Sequence, residues 1–135
     1  MTLRVDASYE HLREERERLG ISLEELAATL DVPVKRAERW EEQGYGQNYI
    51  PYAIMHVFKY WNVYAPYALS GKGQKRTPGS WVSWVLFSNN LTSAELARMM
   101  DVTPGAVANW KKAEAIPIVT EYAIRYILSE KGMTA

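Results

Sequence analysis

The chain carries the segment SLEELAATLDVPVKRAERW at residues 22–40 and the related segment TSAELARMMDVTPGAVANW at residues 92–110. Each segment begins with a Ser or Thr that precedes a Glu by three residues, which is the capping-box pattern at the start of a helix. Apolar residues then recur at intervals of three and four and so share one helix face. After an Asp-Val step a second amphipathic stretch follows. Each segment therefore predicts two short helices joined by a tight turn.

These two segments are part of a longer internal repeat with a constant offset of 70 residues. Residues 21–58 and 91–128 align without a gap and share nine identical positions. The identical pairs are Glu25-Leu26-Ala27 with Glu95-Leu96-Ala97, Asp31-Val32 with Asp101-Val102, Trp40 with Trp110, and Tyr52-Ala53-Ile54 with Tyr122-Ala123-Ile124. Most of them fall where a residue would face a core, and we expect Trp40 and Trp110 to lie there. The pattern indicates an internal duplication.

Glycine and proline residues mark the bounds of the predicted helices, both within these segments and on either side of them. We expect helices from about Tyr9 to Leu19 before Gly20, from Val34 to Glu42 before Gly44, onward from Pro51, from Thr103 with Pro104 in its first turn, and from Pro117 to about Glu130. No strand-like alternation interrupts them. The predicted fold class is all-α, with a first unit at residues 1–69, a basic Gly-rich linker at 70–79 and a second unit at 80–135.

Composition excludes several function classes. The chain has 135 residues, no cysteine and two histidines, His11 and His56, which lie far apart without a shared motif. Disulfides, metal sites and cofactors are therefore not expected. No stretch reaches the roughly 18 apolar residues of a membrane span, and the acidic N-terminus is unlike a signal peptide, so we expect a cytoplasmic protein. No paired carboxylates, nucleophile-base set or phosphate loop indicates an enzyme.

The net charge is zero, but its distribution is uneven. Residues 1–70 carry 8 basic and 11 acidic side chains, whereas residues 71–135 carry 8 basic and 5 acidic ones. The positive charge therefore lies in the linker and the second half. Either that half approaches a polyanion or the two halves attract each other.

The paired segments resemble the lambda-repressor-like (Cro/repressor) helix-turn-helix family, on Ser22 through Ala27, Leu30-Asp31-Val32 and Ala37 through Glu41, and again on residues 91–117. The resemblance implies two tandem helix-turn-helix units and a regulator of phage or mobile-element type. The sequence departs from the family pattern at Leu23 and Ser93, where a DNA-contacting Gln is common, and at Pro33, where a capping Ser or Thr is common.

By this resemblance, the second helix of each unit reads bases in the major groove. The implied base-contacting residues are Val34, Lys35, Arg36 and Arg39 in the first unit, and Pro104, Gly105, Ala106 and Asn109 in the second. The implied phosphate contacts are Ser22 and Thr92 at helix N-termini, together with Lys111 and Lys112. Arg98 and the linker residues Lys72, Lys75 and Arg76 contact phosphates as well, or serve only solubility.

Helical geometry gives an independent reason to consider the first of these helices. At about 100° per residue, Lys35, Arg36 and Arg39 share one side, while Glu38, Glu41 and Glu42 share another. Such segregation lets a basic face meet phosphates or guanine edges while the acids point away. In the second unit the corresponding surface has small side chains, and Asn109 is suited to adenine.

The segment from Trp81 to Phe87 is apolar nearly all round and should be buried on several sides. We expect it to pack against the first unit, with the tract of Tyr60, Trp61, Tyr64 and Tyr67 as its other side, or against another chain. It would then mediate a homodimer or bind a partner protein.

Two functions follow as hypotheses. The first is sequence-specific binding of double-stranded DNA by a transcriptional regulator, such as a repressor, that presents two recognition helices in one chain. The alternative is a protein-interaction adaptor on the same scaffold, such as an antitoxin, an assembly factor or an inhibitor of another regulator. The neutral charge, the acidic first half and the aromatic residues favour the alternative.

Overall fold

The computed structural model describes residues 9–68 and 75–134, and the regular secondary structure of this part of the chain is all helical, without strands. The all-α class is therefore confirmed. The helices are α1 (Tyr9–Arg18), α2 (Leu23–Leu30), α3 (Val34–Gln43), α4 (Ile50–Lys59), α5 (Trp61–Tyr64), α6 (Ser80–Ser88), α7 (Ser93–Met100), α8 (Pro104–Lys112) and α9 (Ile118–Glu130), with a 3-10 turn at Ala65–Tyr67 after α5. None of these helices is long and apolar enough to cross a bilayer.

Both predicted capping boxes are present. The Ser22 hydroxyl accepts the Glu25 N–H at 3.0 Å, and the Glu25 carboxylate accepts the Ser22 N–H at 2.9 Å. Thr92 and Glu95 make the same pair of bonds at 3.1 and 2.9 Å. In each capping box the two hydrogen bonds satisfy amide groups that have no carbonyl partner at the start of the helix. The hydrogen bonds between Thr92 and Glu95 also hold the pKa of the Glu95 carboxyl below its usual range.

The two predicted helix pairs also turn in the same way. Asp31 ends α2 and Asp101 ends α7, each in the left-handed conformation with φ of 56°. Few residues other than glycine adopt this conformation, and Asp is one of them because its short side chain bonds locally. The identical Asp at the two positions therefore sets the same sharp change of direction before α3 and before α8.

Helices α4 and α9 pack against each other along their whole length and join the two halves into one core. Near their N-terminal ends, the hydroxyls of Tyr49 and Thr120 lie 3.3 Å apart. At their C-terminal ends, the Lys59 Nζ lies 3.7 Å from a carboxylate oxygen of Glu130. Because like ends meet, the two helices run in the same direction.

Aromatic rings fill the middle of this pair. Tyr52 stacks on Tyr126 with ring centroids 6.3 Å apart, and His56 lies against Tyr122 at 4.8 Å. Tyr122 also stacks on Tyr64 at 5.1 Å. Side chains of α4 and α5 thus meet those of α9 over a continuous aromatic contact.

The prediction of a helix buried on several sides is wrong for part of α6 within the chain. Val82, Val85 and Leu86 are buried, but Trp84 is 50% exposed and Phe87 is 88% exposed. The helix packs against α8, and Tyr64 of the aromatic tract expected to cover it stacks on Tyr122 of α9 instead. Although nearly every side of α6 is apolar, the side that carries Trp84 and Phe87 is therefore not buried within the described part of the chain.

The prediction that both repeated tryptophans face a core is confirmed for Trp40, which is 5% exposed. Trp110 is partly buried and packs on the core, where its ring meets that of Tyr49 edge-on at 5.9 Å. The two rings lie at the ends of α3 and α8 that are nearest to the α4–α9 pair.

His56 is buried in the aromatic contact, with its Nε2 2.8 Å from the Tyr64 hydroxyl. Burial, followed by the nearby charges of Arg125 and Lys59, lowers the pKa of His56 from 6.5 to about 4. Tyr60 packs against the ring from the end of α4, and Tyr122 from α9; Glu121 adds a carboxylate beside them. The folded chain therefore keeps this imidazole neutral.

This burial predicts a pH dependence of stability. Between pH 6.5 and about 4 the unfolded chain takes up a proton at His56 that the folded chain does not, so the stabilisation is complete above pH 6.5 and is lost as pH falls. At about 1.4 kcal/mol per pH unit, the free energy of unfolding should fall by about 3 kcal/mol across that window. Urea denaturation at several pH values should show a flatter profile for His56→Gln than for the wild type. Equal slopes for His56→Gln and the wild type would contradict the assignment.

Candidate nucleic-acid interface

Helix α3 separates its charged and apolar residues as predicted. Ala37 and Trp40 are buried against the core, while Lys35, Arg36 and Arg39 are exposed. Val34, at the start of the helix, is 38% exposed. The predicted base-contacting surface of the first half is therefore open to a partner.

An ion pair between Arg16 and Glu41 holds α3 against α1. The Arg16 guanidinium donates to the two carboxylate oxygens of Glu41 at 2.6 and 2.8 Å, and to the Ile21 carbonyl at 2.7 Å. This fork-like geometry is among the stronger side-chain interactions, and the hydrogen bond to Glu41 raises the pKa of Arg16. Glu41 is thus neutralised locally, and α3 is held in a defined orientation.

The N-terminus of α3 adds to the positive potential of this face. Pro33 occupies the cap position and provides no side-chain hydrogen bond to the first turn. The uncompensated amides of a helix start carry about half a positive charge. Lys35 and Arg36 lie in that same turn, so their charges and the helix dipole act in the same direction.

Arg36 and Arg39 line a cleft of about 400 Å³ between α3 and the loop that leads to α4. Gln43 and Gln47, on the same cleft, are exposed. Amide side chains recognise adenine edges and phosphates, yet sequence analysis did not select these two residues. The only signal for them is their position beside glycines, because Gln43 ends α3 just before Gly44 and Gln47 follows Gly46.

Helix α8 presents a smaller and less charged surface. Gly105 and Asn109 are exposed and Ala106 is half-buried. A Cβ added to Gly105 would meet nothing closer than the Thr103 hydroxyl oxygen at 3.7 Å, so packing within the described part of the chain does not require glycine there. Its small size leaves the backbone of α8 open to close approach. Pro104, in the first turn, is also exposed.

The residues predicted to contact phosphates differ in their surroundings. Thr92, Lys75, Arg98, Lys111 and Lys112 are exposed, and Ser22 is half-buried at its capping box. Lys111 also lies 3.4 Å from the Ser93 hydroxyl, at the start of α7. Arg76 instead forms an ion pair with Asp31 at 2.8 Å, which ties the end of the linker to the turn between α2 and α3. Lys72 lies outside the described residues.

The two candidate helices approach the same end of the α4–α9 pair. Trp40 of α3 lines its cleft together with Ile50 and Val119, which lie at the N-terminal ends of α4 and α9. Trp110 of α8 contacts Tyr49, the residue just before α4. The structure thus brings the C-terminal ends of α3 and α8 to one region, although they lie 70 residues apart in the sequence.

No group of three or more His, Asp or Glu side chains among residues 9–68 and 75–134 is placed to hold a metal ion. Comparison of the chain with protein-family models, with curated proteins and with solved structures gave no match. Its function is therefore inferred from its own residues and their contacts.

Proposed function

We propose that the chain consists of two tandem lambda-repressor-like helix-turn-helix units related by internal duplication, and that it binds double-stranded DNA sequence-specifically as a transcriptional regulator. In this proposal it is not an enzyme and acts in the cytoplasm. Helices α2 and α3 form the first unit's motif, and α7 and α8 form the second. One chain then presents two recognition helices, as a dimer of single-unit repressors does.

The contacts between α4 and α9 support the duplication. Tyr122 is the counterpart of Tyr52 in the repeat, and Tyr126 is the counterpart of His56. The contact of Tyr52 with Tyr126 and that of His56 with Tyr122 are therefore the same contact with the halves exchanged. This reciprocity is typical of a two-fold interface between like subunits.

The observation that carries the proposal is the exposed basic face of α3. Three cations, an uncapped helix start and two neighbouring glutamines share one surface, while Glu41 is turned onto Arg16. Because α8 offers Asn109 and small residues in place of these cations, the two half-sites should differ. The expected operator is non-palindromic.

Affinity measured against salt concentration tests the proposal. Gel shifts with genomic fragments would first identify a bound duplex, and fluorescence anisotropy would then follow its affinity. About five neutralised phosphates give a log–log slope near −4.5, so a fourfold increase in salt should weaken binding about five-hundredfold. A single strand of the same sequence serves as the control ligand and should bind far more weakly. Absence of submicromolar binding, or a flat response to salt, would contradict the proposal.

A second candidate function is a protein-interaction adaptor, favoured by the exposed rings of Trp84 and Phe87 on α6. Rings left in water on one helix face are typical of a surface that another protein or a second copy of the chain covers. In that case the gel-shift series finds no bound duplex. Replacing Trp84 and Phe87 by alanine should then lower the solution mass of a self-associated chain or abolish co-purification of its partner protein.

A further inference from the structure

The exposed face of α6 carries two large rings beside two small side chains. Trp84 is 50% exposed and Phe87 is 88% exposed, and Ser80 and Ser83 on the same face are exposed as well. These four residues, called the α6 stripe below, follow the spacing i, i+3, i+4 and i+7 by which one helix packs along another. The opposite face of α6 is already buried in the core. The helix therefore has a second packing face that its own half does not use.

The first half of the chain has charged residues where the second half has the α6 stripe. At the offset of 70 residues α6 corresponds to α1, which packs on α3 as α6 packs on α8. The counterparts of the stripe are Glu10, Arg13, Glu14 and Glu17, and all four are exposed. The scaffold thus forms without an apolar side chain at these positions. The rings of the α6 stripe are an addition that packing within the chain does not require.

Hydrogen bonds at both ends of α6 hold the stripe in a fixed orientation. At the start of the helix, the Gly79 N–H donates to the Ala113 carbonyl at 3.1 Å. At its end, the Asn89 side-chain amide donates to the Thr134 carbonyl at 2.6 Å and accepts the Thr134 N–H at 3.1 Å. A surface that is ordered in advance loses less conformational entropy when a partner binds.

The α6 stripe is complementary in size to a second copy of itself. In an antiparallel pair whose two-fold axis passes midway between Ser83 and Trp84, each Trp84 lies level with Ser83 of the second copy. Each Phe87 then lies level with Ser80 of the second copy. Both large rings therefore meet small side chains in the same register, as ridges meet grooves where helices pack. A two-fold contact between like subunits needs such a self-complementary surface.

The charge of this region also favours a second copy as the partner. Between Arg76 and Glu95 the sequence holds no charged residue, so α6 and the turns around it bring no like charges together across the axis. Two α1 helices in the same arrangement would set Glu17 level with Glu10, and their carboxylates would repel each other. Self-association is thus open to α6 but not to its counterpart.

The area of the α6 stripe indicates how strong the contact is. With aromatic side chains of about 200 Å² each, the exposed parts of Trp84 and Phe87 amount to roughly 280 Å² per copy. Together with the serines, a pair of copies buries roughly 1,000 Å², which lies at the lower end of specific interfaces. The contact should therefore be weak and reversible, with a dissociation constant on the order of 10–100 µM.

We infer that α6 pairs antiparallel with α6 of a second copy, so that the chain forms a two-fold dimer through the α6 stripe. The rings of Trp84 and Phe87 are then covered by the serine-containing face of the other copy. This dimer forms without DNA, so it stands or fails independently of the proposed DNA binding.

Sedimentation equilibrium of the full chain without DNA tests the dimer, across concentrations that span the expected dissociation constant. The mass should rise from that of the monomer to that of the dimer. Phe87→Glu, which introduces the residue type of the counterpart Glu17, should weaken the dimer at least tenfold. Tyr67→Glu makes the same change at a 61% exposed ring outside α6 and should leave the dimer unchanged. A wild-type chain that stays monomeric, or equal weakening by both variants, would overturn the inference; circular dichroism checks that both variants are folded.

Single cysteines test the register, because the chain has no cysteine of its own. Ser83 lies beside the axis, so the thiols of two Ser83→Cys chains come within reach of a disulfide, whose Cα atoms are about 4–7 Å apart. Ser88 is also exposed, but its two copies lie about 14 Å apart along the helix direction. Under mild oxidation by diamide, Ser83→Cys should give far more covalent dimer on a non-reducing gel than Ser88→Cys. Equal yields from the two variants would show that α6 does not pair in this way.

Discussion

Replacing Lys35, Arg36 and Arg39 together by alanine is expected to lower the affinity for operator DNA about a thousandfold. Each exposed cation that reaches a base edge or a phosphate contributes about 1–3 kcal/mol, and three of them at the lower part of that range give about 4 kcal/mol. All three side chains are exposed, so the fold should be unaffected. Fluorescence anisotropy with the selected duplex, at one fixed salt concentration, measures the loss.

The matched control removes the same charge elsewhere. Arg13, Arg18 and Lys59 are exposed cations on α1 and α4, and their triple alanine variant should bind within about tenfold of the wild type, since screening limits distant charges. Equal losses in the two variants would mean that only overall charge matters. No loss in the α3 variant would mean that α3 is not the reading helix.

Replacing Tyr122 by alanine should cost about 4 kcal/mol of the free energy of unfolding and should weaken both halves together. The side chain is 4% exposed and contacts His56 and Tyr64 of the first half. Removal of a buried aromatic ring leaves a cavity and typically costs about 3–5 kcal/mol. Urea denaturation followed by circular dichroism and by tryptophan fluorescence should give one coincident transition at a lower midpoint, because the core is continuous across the halves.

Tyr67→Ala provides the control, since that ring is 61% exposed and its loss should change stability by less than about 0.5 kcal/mol. Two separate transitions in Tyr122→Ala, with the first half melting at the wild-type midpoint, would contradict the single core. The halves would then be independent units that merely touch.

Much of the local structure could be predicted from the sequence. The capping boxes of Ser22 and Thr92 and the break at Gly20, with φ of 72°, lie where the pattern placed them. The exposure of Lys35, Arg36 and Arg39 also followed from helical spacing. These features depend on residues within four positions of each other, so the neighbours that determine them are visible in the chain itself.

Only the tertiary structure decided which faces meet. The parallel pairing of α4 with α9, the anchoring of Glu41 by Arg16 and the capture of Arg76 by Asp31 join residues 25 or more positions apart. Periodicity identifies an apolar face but not its partner, because the hydrophobic effect is non-directional and several faces compete. For the same reason the sequence could not show that Trp84 and Phe87 remain exposed.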